Sequence, residues 1–300
     1  MSATVIERTA SAPISWGVCE VPGWGEQLPV QRVLSEMAEL GLRATELGSI
    51  GYLPTDPAEL VDTLAAHGLV LTGGFNALAL ADPTQADVAL KQADESAALL
   101  AAGGATDFVT CVVTDPNDWE RPELTGAQWD HLWVMLDRVD EVCASHGLTQ
   151  VFHPHVDSLV ETASEVQRVL DNSDVRWVLE TGHLAIGGYD PLQFAKRYAN
   201  RVHLVHLKDL VLPIAARLNA EELSLMEAVQ AGLFVPLGEG DIAIADIVDV
   251  MERRGFDGWY VIEQDAAITT GEPPAGDGPI RDVRQSVAFI RSLDARLEAS

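Results

Sequence analysis

The chain has 300 residues and is 47% hydrophobic, enough to bury a large core within the length of one α/β barrel. Its 19 Lys plus Arg stand against 46 Asp plus Glu, a formal net charge of −27. So acidic a surface repels phosphate backbones and anionic headgroups, which argues against nucleic acid and membranes as partners and against a highly charged substrate such as a sugar bisphosphate.

Cys19, Cys111 and Cys143 have no ligand-like spacing and form no even framework, as expected in a reducing compartment. The first twelve residues carry no apolar run of signal-peptide length, and nowhere do about 18 apolar residues follow one another without charge. A cytoplasmic location is expected.

In chain order, short β-branched runs predict strands at Ile14–Val18, Ala44–Leu47, Val70–Phe75, Phe108–Val113, Gln150–His153, Trp177–Glu180, His203–Leu207 and Trp259–Glu263. Helical periodicity fills the spaces between them, at Val30–Leu40, Pro57–His67, Gln85–Ala102, Gly126–His146, Leu159–Leu170, Pro191–Tyr198, Ile244–Arg254 and Arg281–Leu293. Glycine stops recur before the next strand at Gly41, Gly68, Gly147 and Gly255. Eight strands each followed by a helix close a (β/α)8 TIM barrel, expected here as a single domain over residues 1–300. A doubly wound sheet would show a Gly-rich phosphate loop after strand one, and Ser15-Trp16-Gly17-Val18-Cys19 is not one. The stretch Val211–Asp241, with a helical piece at Glu221–Gln230, reads as an insertion in the loop after strand seven, on the catalytic face.

Metal- and proton-handling residues bunch at the ends of strands five to eight: His153 and His155, Glu180 and His183, His206-Leu207-Lys208-Asp209, and Glu263-Gln264-Asp265. A spacing of two places His153 and His155 on one face of an extended segment. A buried carboxylate costs several kcal/mol unless paired or metal-bound, so such a set points to a cation. Nitrogen and oxygen donors without thiolate suit Mn²⁺, Co²⁺, Fe²⁺ or Zn²⁺ better than Ca²⁺. One divalent metal is expected, Mn²⁺ or Co²⁺ first, with Mg²⁺, Fe²⁺ and Zn²⁺ as alternatives. Against this stand plainer readings: Lys208–Asp209 as an ion pair, Trp16 and Trp259 as packing aromatics, Glu239 as a turn residue, and His203 as structural because its spacing from His206 puts it on the other strand face.

Several pieces carry a resemblance: Thr45-Glu46-Leu47-Gly48, His153-Pro154-His155, Thr181-Gly182-His183-Leu184, Val205-His206-Leu207-Lys208-Asp209, and Gly258-Trp259-Tyr260-Val261-Ile262-Glu263-Gln264-Asp265. On these the chain resembles the sugar isomerase/epimerase barrels related to xylose isomerase and endonuclease IV, and within them the inosose dehydratase branch. The resemblance implies one metal ligand from each of strands five to eight, namely His153, Glu180, His206 and Glu263. The chain departs from the wider pattern in having His153 where many members have Glu, and Glu180 where they usually have Asp. The longer Glu180 side chain leaves open its binding through another oxygen, through water, or not at all.

The implied reaction removes water from a keto-inositol through an enediolate. Candidate bases are Glu263 and Lys208, and candidate acids are His183 and His155. Trp16 and Glu46 are expected on the opposite wall, with His155 and Lys208 also touching the small polyhydroxylated carbonyl substrate. A ketose epimerase or aldose–ketose isomerase is the alternative, less well equipped because His153 replaces one of two expected carboxylates. Endonuclease chemistry would need several zinc ions and a basic groove, and a decayed sensing barrel would not keep His and Glu at all four strand ends. Assembly into a homo-oligomer is left open.

Overall fold

The computed structural model describes residues 3–117 and 119–298, so both ends of the expected 1–300 span lie outside the described residues. Eight parallel strands form a closed barrel ringed by helices, a (β/α)8 TIM barrel. They are Thr9–Ser11, Ala44–Thr45, a two-part third strand at Val70–Leu71 and Phe75–Leu78, then Asp107–Val112, Thr149–Phe152, Arg176–Glu180, Val202–Leu207 and Tyr260–Ile262. Among the described residues no helix is long and apolar enough to cross a membrane.

Two expected strands are corrected. Strand one is Thr9–Ser11, whereas the expected Ile14–Val18 run holds a 3-10 turn, Pro13–Trp16. Proline fixes φ and lacks an N–H, and Gly17 ends the turn at φ +81. The real strand was hidden because Ala10 faces a crowded barrel interior and carries no apolar run. Strand three is likewise not continuous. Its first half pairs with strand two and its second half with strand four, which is how the barrel closes. The break falls at Gly73-Gly74, where a Cβ on Gly73 would lie 2.8 Å from the Asp107 carbonyl oxygen.

The helices follow the sequence pattern more closely. Gly126–Ser145 and Ala163–Asn172 begin at capping boxes built on Thr125 and Thr162. Gly41, Gly68, Gly147 and Gly255 all adopt positive φ just past their helices. The last helix, Pro279–Glu298, runs longer than expected. Within 211–241 lie two short helices, Leu212–Asn219 and Leu225–Gln230, and an antiparallel pair joining Asp209–Leu210 to Phe234–Val235.

Three apolar layers result. Helices pack on the outside of the barrel in one large core that includes Trp16, Phe152 and Trp177. Small residues such as Ala10, Ala44, Val109, Val151, Val178 and Leu204 fill the barrel itself. A separate core roofs the catalytic face and joins Trp24, Val156 and Ile186 to Leu210, Leu233 and Phe234.

Strand seven carries a bulge: Val202 pairs with Trp177 but Leu204 with Val178, leaving His203 as the extra residue. The bulge turns His203 toward the base of strand four, where its Nδ1–H donates to Asp107 Oδ1 at 2.6 Å. That hydrogen bond, opposed by burial, raises the His203 pKa above its ordinary value. The stabilisation is therefore present below about pH 6.5 and is lost as pH rises through the raised value. We expect the melting temperature of wild type to exceed that of His203→Gln by roughly 1–2 °C at pH 5.5, a small gap because the imidazole is partly solvated. The gap should close by pH 9, and a gap independent of pH would contradict the pairing.

Candidate metal and active site

The tips of strands five to eight bring four side chains together. His153 follows the last residue of strand five, Glu180 ends strand six, His206 projects inward from strand seven, and Glu263 follows strand eight. One ligand atom from each lies within 4.8 Å of the others. Glu180 Oε2 is 3.5 Å from His153 Nε2 and 3.3 Å from His206 Nδ1, which in turn is 3.0 Å from Glu263 Oε2. Spacings of about 3.4 Å are those of neighbouring donors around one ion with bonds near 2.1 Å.

Glu180 divides its two oxygens. Oε1 accepts the backbone N–H groups of Gly182 at 2.9 Å and His183 at 3.4 Å, capping the short helix Thr181–Ile186. Oε2 faces the cluster, so the extra methylene serves the cap and the cluster at once.

The group fits a divalent cation. Glu180 Oε2, His206 Nδ1 and Glu263 Oε2 are buried, and despite their closeness none meets the geometry of a hydrogen bond. Buried polar atoms without partners are costly, and a shared ion would satisfy all three. On its far side His206 Nε2–H donates to Glu46 Oε1 at 3.0 Å, which leaves Nδ1 as the lone-pair nitrogen facing the cluster. Burial alone would lower the His206 pKa, but Glu46 and Glu263 outweigh it and raise the value well above the ordinary one. The surroundings thus favour positive charge at this point.

Lys208 stands beside the cluster, 2% exposed. Its ammonium donates to Asp265 Oδ1 at 2.8 Å and His183 Nε2 at 3.2 Å, lies 3.1 Å from Glu263 Oε2, and sits 4.9 Å above the Phe234 ring. Burial would lower its pKa, but Asp265, Glu263 and Glu180 prevail and raise it, which favours the ammonium form. Burial raises Asp265, and Lys208 opposes this only in part. His155 and His183 stack with ring centroids 3.8 Å apart. Burial, His153 and the Lys208 charge push His155 down to about 3. His183 also lies well below its usual value, first through burial. Donors face both His183 nitrogens, Val156 N–H at Nδ1 from 3.3 Å and the Lys208 ammonium at Nε2. The neutral ring can accept from only one, and a second proton would lose that contact too. Both rings are neutral near pH 7.

Two expected wall residues lie elsewhere. Trp16 is fully buried in the outer core, its Nε1–H donating to Glu36 Oε2 at 2.8 Å, and offers no face to a substrate. Glu46, 3% exposed, sits behind His206 as its hydrogen-bond partner. Nor does Asp209 pair with Lys208; its carboxylate turns into the neighbouring loop. Aromatic rings that the sequence did not single out surround the cluster instead. Phe75 stands edge-on to His153 at 5.4 Å, Trp119 packs on His155 at 5.1 Å, and Phe234 closes the Lys208 side. The inward alternation of strand three could have flagged Phe75, whereas Trp119 lies in a loop with no signal.

The comparisons agree with this architecture. Residues 34–293 match the family model described as xylose isomerase-like TIM barrel. Inosose dehydratase from Geobacillus kaustophilus is 33% identical over 275 residues, 87% of this chain and 89% of that protein. The rhizopine catabolism protein MocC of Rhizobium meliloti is 30% identical over 85% of this chain and 81% of its own. Among solved structures an L-ribulose 3-epimerase superposes with a TM-score of 0.69 at 18% identity, covering 100% of this chain and 97% of that one. With a family model and curated enzymes matching nearly end to end, the chain belongs to the xylose isomerase-like TIM barrel family and is an enzyme.

Proposed function

We propose that the protein is a divalent-metal-dependent hydro-lyase that dehydrates a keto-inositol. The observation that carries this reading is the junction of a cation-shaped cluster with a buried, protonated lysine. The 33% identical relative named inosose dehydratase supports the substrate class. An ion held by His153, Glu180, His206 and Glu263 would polarise the substrate ketone and make the neighbouring C–H acidic.

The chain's own residues then divide the proton work. Glu263, the most exposed of the four at 13% of its side chain, takes the carbon-bound proton as a carboxylate. Burial would raise its pKa, but Lys208 and His206 hold it low. The electron pair of that C–H bond forms the new C=C bond as the C–O bond one carbon further along breaks. The departing hydroxide takes a proton from the Lys208 ammonium and leaves as water. Glu263 and Lys208 lie 3.1 Å apart, so a small rotation of either side chain aligns a hydrogen bond through which the proton returns and resets the site. His155, expected as an acid, acts here as a neutral hydrogen-bonding partner of a substrate hydroxyl, and His183 orients the Lys208 ammonium. His155 Nδ1–H is already committed to the Val156 carbonyl at 2.6 Å, which leaves Nε2 to accept.

An epimerase would share the proton abstraction beside the ketone but needs a second base on the opposite face of the carbon, and strand five offers the imidazoles of His153 and His155 rather than a carboxylate. The test is to strip metal, restore Mn²⁺ or Co²⁺, and follow the ultraviolet absorbance of an enolised diketone formed from inosose. Metal-dependent absorbance is the expected result. Metal binding with inosose untouched and a ketose epimerised would overturn the lyase reading.

A further inference from the structure

We propose that Asp209 is a positioning residue that holds the roof of the site over Lys208; this rests on the reading of Lys208 given above. Asp209 is 1% exposed, yet among the described residues it pairs with no cation. Instead its carboxylate collects four backbone N–H groups. Oδ1 accepts from Leu210 and Ile242, each at 3.0 Å, and Oδ2 accepts from Gly238 at 2.8 Å and Gly240 at 3.1 Å. A buried carboxylate satisfied wholly by main-chain donors is charge-assisted bonding spent on a loop.

The loop it gathers closes the 211–241 segment. Phe234 and Val235 pair back onto Leu210 and Asp209, and the Phe234 ring covers the Lys208 ammonium. The other end of Lys208 is also fixed. Its N–H donates to Thr181 Oγ1 at 2.8 Å, and its stem lies where a Cβ on Gly182 would meet Lys208 Cδ at 2.8 Å. Residue 208 is thus clamped from below by the first turn of the short helix that follows strand six and from above by the roof, and Asp209 is the joint between roof and barrel. The clasp leaves no spare room: a Cβ at Gly240 would stand 2.2 Å from Asp209 Oδ1.

Two variants open the clasp from opposite sides. Asp209→Asn turns two acceptor contacts into donor-against-donor contacts, and Gly240→Ala wedges the carboxylate away without changing its chemistry. The readout is acylation by acetic anhydride, followed by peptide mass spectrometry. The chain has three lysines, and Lys91 and Lys196 are exposed, so they serve as internal controls for the buried Lys208. We expect Lys208 labelling to rise at least about tenfold against Lys91 in both variants, through local opening of the roof. We also expect kcat to fall about 100-fold with bound metal and KM little changed, the cost of a misplaced group.

A merely stabilising role would lower the melting temperature but leave native-state labelling as in wild type, and that result overturns the proposal. Loss of the folded state in both variants would make the clasp a folding element and overturn it equally. Labelling needs no substrate, so raised labelling in a protein inactive on inosose would sustain the clasp while sinking the dehydration reading.

Discussion

Replacing Lys208 by methionine is expected to lower kcat for inosose dehydration by about 10³-fold while the divalent ion stays bound. Methionine keeps the length of the stem against Gly182 and the contact with Phe234, so the change isolates the ammonium. That charge lies 2.8 Å from Asp265 and 3.1 Å from Glu263. Removing it leaves two buried carboxylates facing each other, and stripping one partner from a buried ion pair costs about 3–5 kcal/mol. A lower melting temperature will therefore accompany the kinetic loss, and the assay belongs well below it. A variant that turns over within tenfold of wild type would remove Lys208 from the proton transfer and leave it an electrostatic strut.

The second large effect concerns the cluster. In His206→Ala, bound metal measured by elemental analysis should fall to a small fraction, because one of the four donors is lost and only His153, Glu180 and Glu263 remain. Glu46→Gln touches no cluster atom, yet it weakens the acceptor that fixes the His206 ring. Its expected cost is a 10- to 100-fold loss of metal affinity, about the usual penalty for removing an outer partner of a metal-bound histidine. This gradation separates a metal site from a buried ion-pair knot. If both variants bind metal as wild type does, the four residues are a structural network and the lyase reading loses its foundation.

The barrel was legible because periodicity and glycine stops are local signals, and the helices Pro57–Ala66, Gly126–Ser145 and Pro191–Tyr198 start where the pattern placed them. Strand one was not, because a strand whose inward residue is Ala10 carries no hydrophobic signature. The neighbouring Ile14–Val18 run has one because Trp16 and Val18 pack outside the barrel and Ile14 packs under the roof. The cluster residues were readable as His and Glu at four strand ends, and the structure draws these four together. What sequence could not give was direction. Glu46 and Trp16 sit at a strand end and beside one, as pocket residues would, but their polar atoms turn to His206 and Glu36. The roles of Lys208 and the two histidines depended on the balance between burial and nearby carboxylates, a property of three dimensions. Trp119 belongs to a loop, and Phe234 to a two-residue strand within the 211–241 insertion, whose paths no period predicts.

The extra residue at His203 uncouples the two ends of strand seven. Above it, Leu204 and His206 keep the alternation that the site requires; below it, Val202 faces the helices and His203 meets Asp107. In a regular strand one parity governs every position, so a change that suits the base would be tied to the side-chain order at the tip. Here the tip and the base can accept substitutions separately, and new chemistry can be tried at one mouth of the barrel while durability is maintained at the other.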